Sequence, residues 1–307
     1  MNSEKLCFKK VKSECLKFIK SQETKKEKFK NKERMLKSFL IPICFWIKNK
    51  SNHKKPFLIG LAGGQGTGKT TTSSIIKIIL EKYFKLNVFK ISIDDFYKTR
   101  KERVFLSKKI HPMLLTRGVP GTHDINMMLN FFKKVKSKKF KSLQLPNFNK
   151  ATDDRFAKKY WYNIKKRPDV IIFEGWCVGA KPEKNATLNK AINSMEKKKD
   201  QKKIWRKYVN HHLKLKYKDL YSQLNCLIYL KAKNFSLLQK WRLKQENKLW
   251  LKSKKNSKHK IMNKENVISF MQTYQRITEN MFKKMTKHAS ILINLGSDHQ
   301  IKFIRYK

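Results

Sequence analysis

The sequence predicts an α/β protein: a mostly parallel central sheet with helices on both faces and a helical extension ahead of it. Three observations predict this. Near-continuous apolar runs of strand length recur, FLIGLA at 57–62, DVIIFE at 169–174 and ILINL at 291–295, and strands buried on both faces read this way. Stretches with helical spacing lie between such runs, as in parallel sheets built from crossovers. The first strand also enters the first helix through a tight turn, GGQGTGKT at 63–70.

In chain order, residues 1–50 are lysine-rich with apolar residues at loosely helical spacing and no motif. They read as a helical extension, mobile in part, leaving 51–307 as the main domain. Strands are expected at 57–62, 87–93, 169–174, 226–230 and 291–295, and helices at 70–83, 124–136, 201–223, 234–252 and 264–287. EKKKDQKK (196–203) and KSKKNSKHK (252–260) read as low-complexity charged loops. No internal repeat is visible.

The chain carries 74 Lys and Arg against 22 Asp and Glu, a net charge of +52. Alone, that balance suggests nucleic acid or an anionic membrane. But 64 of the cations are Lys and only 10 are Arg. Lys, Asn, Ile and Phe are all abundant and share A/T-rich codons, so coding bias accounts for the pattern. The lysines are also spread along the chain instead of forming a patch with interleaved aromatics. No specific nucleic-acid partner is expected. The five cysteines, Cys7, Cys15, Cys44, Cys177 and Cys226, form no C-x-x-C. They fit a reduced, cytoplasmic protein without a zinc site. No apolar run nears the roughly 18 residues of a membrane span, and the N-terminus lacks an apolar signal core, so no membrane partner is expected.

Gly63-Gly64-Gln65-Gly66-Thr67-Gly68-Lys69-Thr70, followed by Thr71, satisfies G-x-x-x-x-G-K-[ST] between a strand and an amphipathic helix. Glycines let backbone N–H groups turn inward around a phosphate chain, and the helix N-terminus adds partial positive charge. Lys69 is placed to reach the β- and γ-phosphates and Thr70 to ligate Mg²⁺. The loop therefore binds a nucleoside triphosphate. Acids are scarce and gather where such a site forms, at the carboxyl ends of strands. Asp94 and Asp95 follow the second strand and Glu174 ends the third. Glu174 is a candidate for the metal or its water. An acid after strand two can accept a proton from a substrate hydroxyl. The base-reading pattern N-K-x-D of a GTPase is absent: Asn149-Lys150-Ala151-Thr152 and Asn263-Lys264-Glu265-Asn266 both fail it.

SIDDFYKTRKER (92–103), HPMLLTRGVPGTHD (111–124), DDR (153–155), FEGWCVGAKP (173–182), IWRKYVN (204–210) and WRLKQENKL (241–249) together resemble the D-glycerate 3-kinase family. These are P-loop kinases related to uridine kinase, phosphoribulokinase and pantothenate kinase. The resemblance runs from about residue 56 to the end, in order. It implies an ATP- and Mg²⁺-dependent kinase that makes 3-phosphoglycerate from D-glycerate, with Asp94 as general base. It further implies that Asp95, Tyr97, Arg117, His123, Asp124, Arg155 and Trp176 line the acceptor site. Arginine grips a carboxylate bidentately where lysine does not, which agrees with Arg117 and Arg155 standing in these motifs. In related kinases a helical lid follows the fourth strand. Here that segment is about 241–260, with Arg242 as its catalytic cation, Leu238, Trp241 and Leu249 as packing anchors, and a mobile second half. Two other readings stay open: the same fold with a nucleoside, pantothenate or sugar phosphate as acceptor, and a basic P-loop ATPase that binds nucleic acid.

Overall fold

The computed structural model describes residues 3–25, 27–51, 55–253 and 262–307. Helix α1 (Ser3–Ser21) opens the chain, followed by α2 (Lys32–Met35), a π-turn at Leu36–Leu40 and α3 (Ile41–Lys50). Strand β1 (Phe57–Gly63) leads through the glycine turn into α4 (Lys69–Lys82), then β2 (Val88–Ser92), α5 (Arg100–Lys109) and α6 (Ile125–Lys136). Two small antiparallel pairs come next, from β3 (Leu143–Leu145), β4 (Phe148–Asn149), β5 (Asp154–Arg155) and β6 (Tyr162–Ile164), with β3 on β6 and β4 on β5. The order then runs β7 (Val170–Gly175), α7 (Ser194–Lys199), α8 (Ile204–Lys214), α9 (Lys216–Ser222), β8 (Cys226–Lys231), α10 (Phe235–Ser253), α11 (Lys264–His288), β9 (Ile291–Leu295) and β10 (Ile301–Tyr306).

The main sheet has the order β10-β9-β8-β1-β7-β2, parallel throughout except for the antiparallel edge strand β10. The period of two along a strand decides the layering. Phe57, Ile59 and Leu61 enter one apolar cluster with α4 and the N-terminal helices. Leu58 and Ala62 enter the other, with α6, α8, α9 and α11. The five expected main-sheet strands and the helices between them are thus present, and the sheet is covered on both faces.

Apolar residues of α1, the π-turn and α3 are part of the first cluster. In α1, Cys7, Val11, Cys15 and Ile19 are fully buried at spacings of four, four and four, the stripe of one helix face. The Cys44 thiol donates to the carbonyl of Ile76 at 3.8 Å, and Phe45 packs edge-on against Phe84 at 4.9 Å. The segment shields the outer side of α4, the helix that carries the phosphate-loop lysine.

Two expectations need correction. The stretch 196–203 is not a solvated charged loop, because α7 covers its first half and Glu196 and Asp200 are buried. Asn193 caps α7 by accepting from the Glu196 N–H at 2.9 Å. Glu196 then receives Arg276 through Nε and Nη2, both at 2.7 Å, and Asp200 receives Arg206 at 3.0 Å. The lysines of this stretch point outward while its two acids anchor α7 and α8 to α11. The expected helix 201–223 is also interrupted, by Leu215 with φ −101° and ψ −106° between α8 and α9. The stretch 254–260, expected to be a mobile loop, lies outside the described residues.

A buried pair that loses one partner leaves an uncompensated charge, at a cost of about 3–5 kcal/mol. Glu196→Ala is therefore expected to lower unfolding stability by that amount in a denaturant titration. A change below about 1 kcal/mol would show that the network adds nothing to the fold.

Candidate active site

The phosphate loop forms because β1 ends on Gly63 and the next turn needs backbone that side chains resist. Gly66 has φ +79° and Gly68, the cap of α4, has φ +85°. Gly66 also lies under α10: a Cβ there would stand 2.9 Å from the Cβ of Trp241. Leu238 closes on Gly64 in the same way. So α10 rests on the loop, with Leu238 and Trp241 buried as expected. The side chain of Leu249 is outside the described residues. Trp241 in turn stacks on His299 at 4.1 Å. Thr67 holds the turn by donating to the Gly64 carbonyl at 2.8 Å. The Gln65 side-chain oxygen is buried without a partner, and Thr71 continues the first turn of α4.

The Lys69 ammonium donates to the carbonyls of Gly63 at 2.8 Å and Gly64 at 3.0 Å. Burial pushes its pKa below the ordinary value, against the pull of Glu174 and Asp94. Glu174 is held by two hydroxyls: Thr70 donates to Oε1 at 3.0 Å and Ser73 to Oε2 at 2.6 Å. Thr70 and Glu174 thus bring a hydroxyl and a carboxylate together. Such hard oxygen donors suit Mg²⁺, which keeps several waters and takes few protein ligands. Among the described residues no cluster of three or more His, Cys, Asp or Glu offers a dedicated metal cage, so a metal here would share its ligands with a nucleotide.

Two neighbouring acids after β2 are sorted by a 3-10 turn, Ile93–Phe96. Ser92 caps this turn, accepting from the Asp94 N–H at 3.1 Å, while Asp95 reaches back to the Ser92 N–H at 3.1 Å. Asp95 therefore faces the turn itself, and burial raises its carboxyl to about 6. Asp94 faces the other way. Its Oδ1 accepts from the Tyr97 hydroxyl at 2.9 Å and its Oδ2 lies 3.1 Å from the Lys150 ammonium. Burial alone would raise this carboxyl, but Lys150 and the Tyr97 hydroxyl outweigh it and hold it below the usual range.

Of the remaining expected residues, Tyr97 and His123 lie against Asp94, and the others are held by their own partners. Tyr97 stacks on His123 at 4.6 Å. His123 shares a 2.6 Å hydrogen bond between Nδ1 and the Tyr217 hydroxyl, and its buried Nε2 has no partner. Burial pushes its pKa down to about 3, so the ring is neutral. Asp124 caps α6 at the Met127 N–H, 3.0 Å, and pairs with Arg155 at 3.1 Å. Arg155 also donates to the Tyr97 carbonyl at 2.8 Å. Arg117 pairs with Asp153 and lies over the Phe148 ring at 5.2 Å. Trp176 donates to the Gly118 carbonyl at 2.8 Å and packs edge-on against Tyr274. Arg242 pairs with Glu246 one turn along α10 and lies over Phe270 at 5.9 Å. The Cys177 thiol, buried and raised to about 12, is no nucleophile.

Sequence reasoning missed Ser73, Lys150, Tyr217 and Tyr274. Ser73 follows from the helical period, since it lies one turn beyond Thr70 on the same face. The others are common residue types brought in by tertiary packing and carry no local signal.

The arrangement joins a triphosphate cradle, a metal-suited oxygen pair and an ionised carboxylate at neighbouring strand ends, as group transfer from a nucleotide requires. No family model matches the chain. An uncharacterized kinase of Schizosaccharomyces pombe, mug58, is 30% identical over 238 residues, 75% of this chain and 82% of that protein. The chloroplastic D-glycerate 3-kinase of Arabidopsis thaliana is 28% identical over 229 residues; the match takes in 68% of this chain and only 47% of that protein's length. Among solved structures, D-glycerate 3-kinase from Cryptococcus neoformans superposes with a TM-score of 0.70 at 23% identity, over 88% of this chain and 97% of that one, a likeness of fold. With this fold, this loop and these relatives, the chain belongs to the P-loop kinase family that includes D-glycerate 3-kinase.

Proposed function

We propose that this kinase transfers the γ-phosphoryl group of ATP to the 3-hydroxyl of D-glycerate, giving 3-phosphoglycerate and ADP. The observation that carries the reading is Asp94, a half-buried carboxylate oriented by Tyr97 and held below the usual carboxylate range, close enough to Lys69 to act on its charge. The acceptor hydroxyl gives its proton to Asp94. Its oxygen bonds to the γ-phosphorus as the bond to the bridging oxygen breaks, and that electron pair leaves with ADP. Lys69 exchanges the loop carbonyls for phosphate oxygens, and the loop N–H groups hold the phosphates in line. Thr70 and Glu174 would hold Mg²⁺, which would supply neutralising charge. Arg117, Arg155, Asp124, His123 and Trp176 wall the acceptor site, and Asp95 fixes the turn that aims Asp94. The curated D-glycerate 3-kinase relative supports the choice of acceptor.

ATP consumption against a panel of acceptors tests the reading. D-glycerate is expected to drive turnover, with L-glycerate, uridine, pantothenate and ribulose 5-phosphate far slower and added DNA or RNA without effect. Lys69→Ala is expected to abolish transfer in a folded protein. Turnover driven by another acceptor, with none from D-glycerate, would remove glycerate from the site.

The two acids give different pH profiles. A base with a depressed pKa is ionised above that value and loses function only as pH falls through it. With Asp94 as base, the acid limb of kcat/KM lies below the ordinary Asp value of about 3.9. With Asp95 as base, the limb would stand at about 6. Asp94→Asn is expected to cost ~10²–10⁴-fold in kcat with ATP binding retained. An acid limb at about 6 that vanishes in Asp95→Asn would reverse the assignment.

We read α10 as a lid because it already leans on Gly64 and Gly66 and carries Arg242 beside them. On closure Arg242 exchanges Glu246 for the moving phosphoryl group, while water is excluded. Arg242→Ala is expected to lower kcat on the order of 10³-fold with little change in acceptor KM. ATP with D-glycerate should also protect 241–260 from proteolysis. Normal turnover and ligand-indifferent cleavage would remove the lid role.

A further inference from the structure

The turn between β4 and β5 carries a cation that the mechanism above does not use. Lys150 Nζ stands 3.1 Å from Asp94 Oδ2, the oxygen that Tyr97 leaves free. The lysine side chain is 65% exposed, so the pair lies at the mouth of the site. An ion pair whose lysine is this exposed contributes little to stability.

The turn itself is fixed. Asp153 has φ +58° and pairs with Arg100, with the fully buried Arg103 and with Arg117. Asn149 accepts from the N–H groups of Ala151 at 3.0 Å and Thr152 at 3.4 Å. A rigid turn thus presents one long, solvent-reaching cation to the proposed base. The neighbouring arginines are differently placed. Arg117 is taken by Asp153, and Arg155 by Asp124 and the Tyr97 carbonyl. Either would have to abandon a carboxylate of the chain to grip an acceptor, whereas Lys150 would abandon only the base that must be freed for reaction.

We propose that Lys150 determines acceptor specificity: it moves from Asp94 to an anionic group on the acceptor as the acceptor's hydroxyl arrives at that carboxylate. A hydroxy compound with a carboxylate or phosphate near the reacting hydroxyl then frees the base as it binds. A neutral alcohol leaves Lys150 on Asp94 and the base occupied. Exchanging one anionic partner for another keeps the ammonium paired throughout. The proposal rests on Asp94 being the base of the kinase reading, but not on the acceptor being glycerate.

Steady-state kinetics of the full chain, Lys150→Met and Lys150→Arg, with D-glycerate, ribulose 5-phosphate, pantothenate, uridine and glycerol, test it. Lys150→Met is expected to raise KM for the anionic acceptor that the protein uses about 10- to 100-fold, the loss of one charge-assisted hydrogen bond. KM for ATP and the thermal midpoint should stay unchanged, and Lys150→Arg should recover most of the loss. If the unmodified protein favours ribulose 5-phosphate or pantothenate, the glycerate reading falls while the same KM shift upholds Lys150. An unchanged acceptor KM in Lys150→Met, or an unmodified protein that favours uridine or glycerol, overturns the proposal.

Discussion

The grip of Thr70 and Ser73 on Glu174 is the contact on which the site depends. One end of it is the first turn of α4 and the other is the last turn-ward residues of β7, two pieces of chain about a hundred positions apart. It places the phosphate loop, the oxygen pair for a metal and the end of the sheet in one frame. Register extends that frame outward. Glu174 pairs with Leu61 on β1 and with Ser92 on β2, and Ser92 is the residue that caps the turn bearing Asp94. Parallel strands end together, so a loop built for phosphate and an acid built for a proton arrive side by side. An antiparallel neighbour would have carried the acid to the opposite edge.

Charge is divided by residue type. Lysine, in large excess, mostly coats the outside, while the few arginines work where a planar fork is needed. Arg103, Arg206 and Arg276 are buried and paired with acids. Arg117, Arg155 and Arg242 stand around the site, each already on a carboxylate of the chain. The net charge of +52 therefore says little about the site, since its electrostatics come from a handful of internal pairs. The contacts these arginines make are with acids of the chain itself.

Legibility followed the strength of local pattern. The three near-continuous apolar runs, the glycine loop and the strand-end acids were readable because burial on both faces, positive φ and phosphate binding each demand particular residue types. Strand β10 was not readable, because IKFIRY sets Lys and Arg among its apolar residues and lies at an exposed edge, where charge is the usual guard against further pairing. Helix α7 was hidden inside a lysine-rich stretch whose two acids give no sign of burial until Arg206 and Arg276 fold over them. Lys150 is one lysine among 64, and only the β4–β5 turn brings it to Asp94. Tyr274 reaches Trp176 from a helix about a hundred residues later.

Adjacent aspartates of identical chemistry came out with opposite tasks, and backbone geometry alone separates them. In a 3-10 turn successive side chains point about a third of a rotation apart, so Asp94 and Asp95 cannot share an environment. Asp95, at the third position of the turn, completes the capping box with Ser92 and is spent on the backbone. Burial raises its pKa, and the more distant pull of Lys150 does not offset it. Asp94 gains a phenol and an ammonium, which keep it charged despite burial. The pair thus splits into a brace and the proposed base by position in one short turn. The same turn sets Tyr97 against His123 through a bridge between their backbones, so the residue that orients the proposed base is held by the loop proposed to wall the acceptor site. Proposed base, brace and proposed acceptor wall are set by one piece of backbone, and a change in the turn would move all three together.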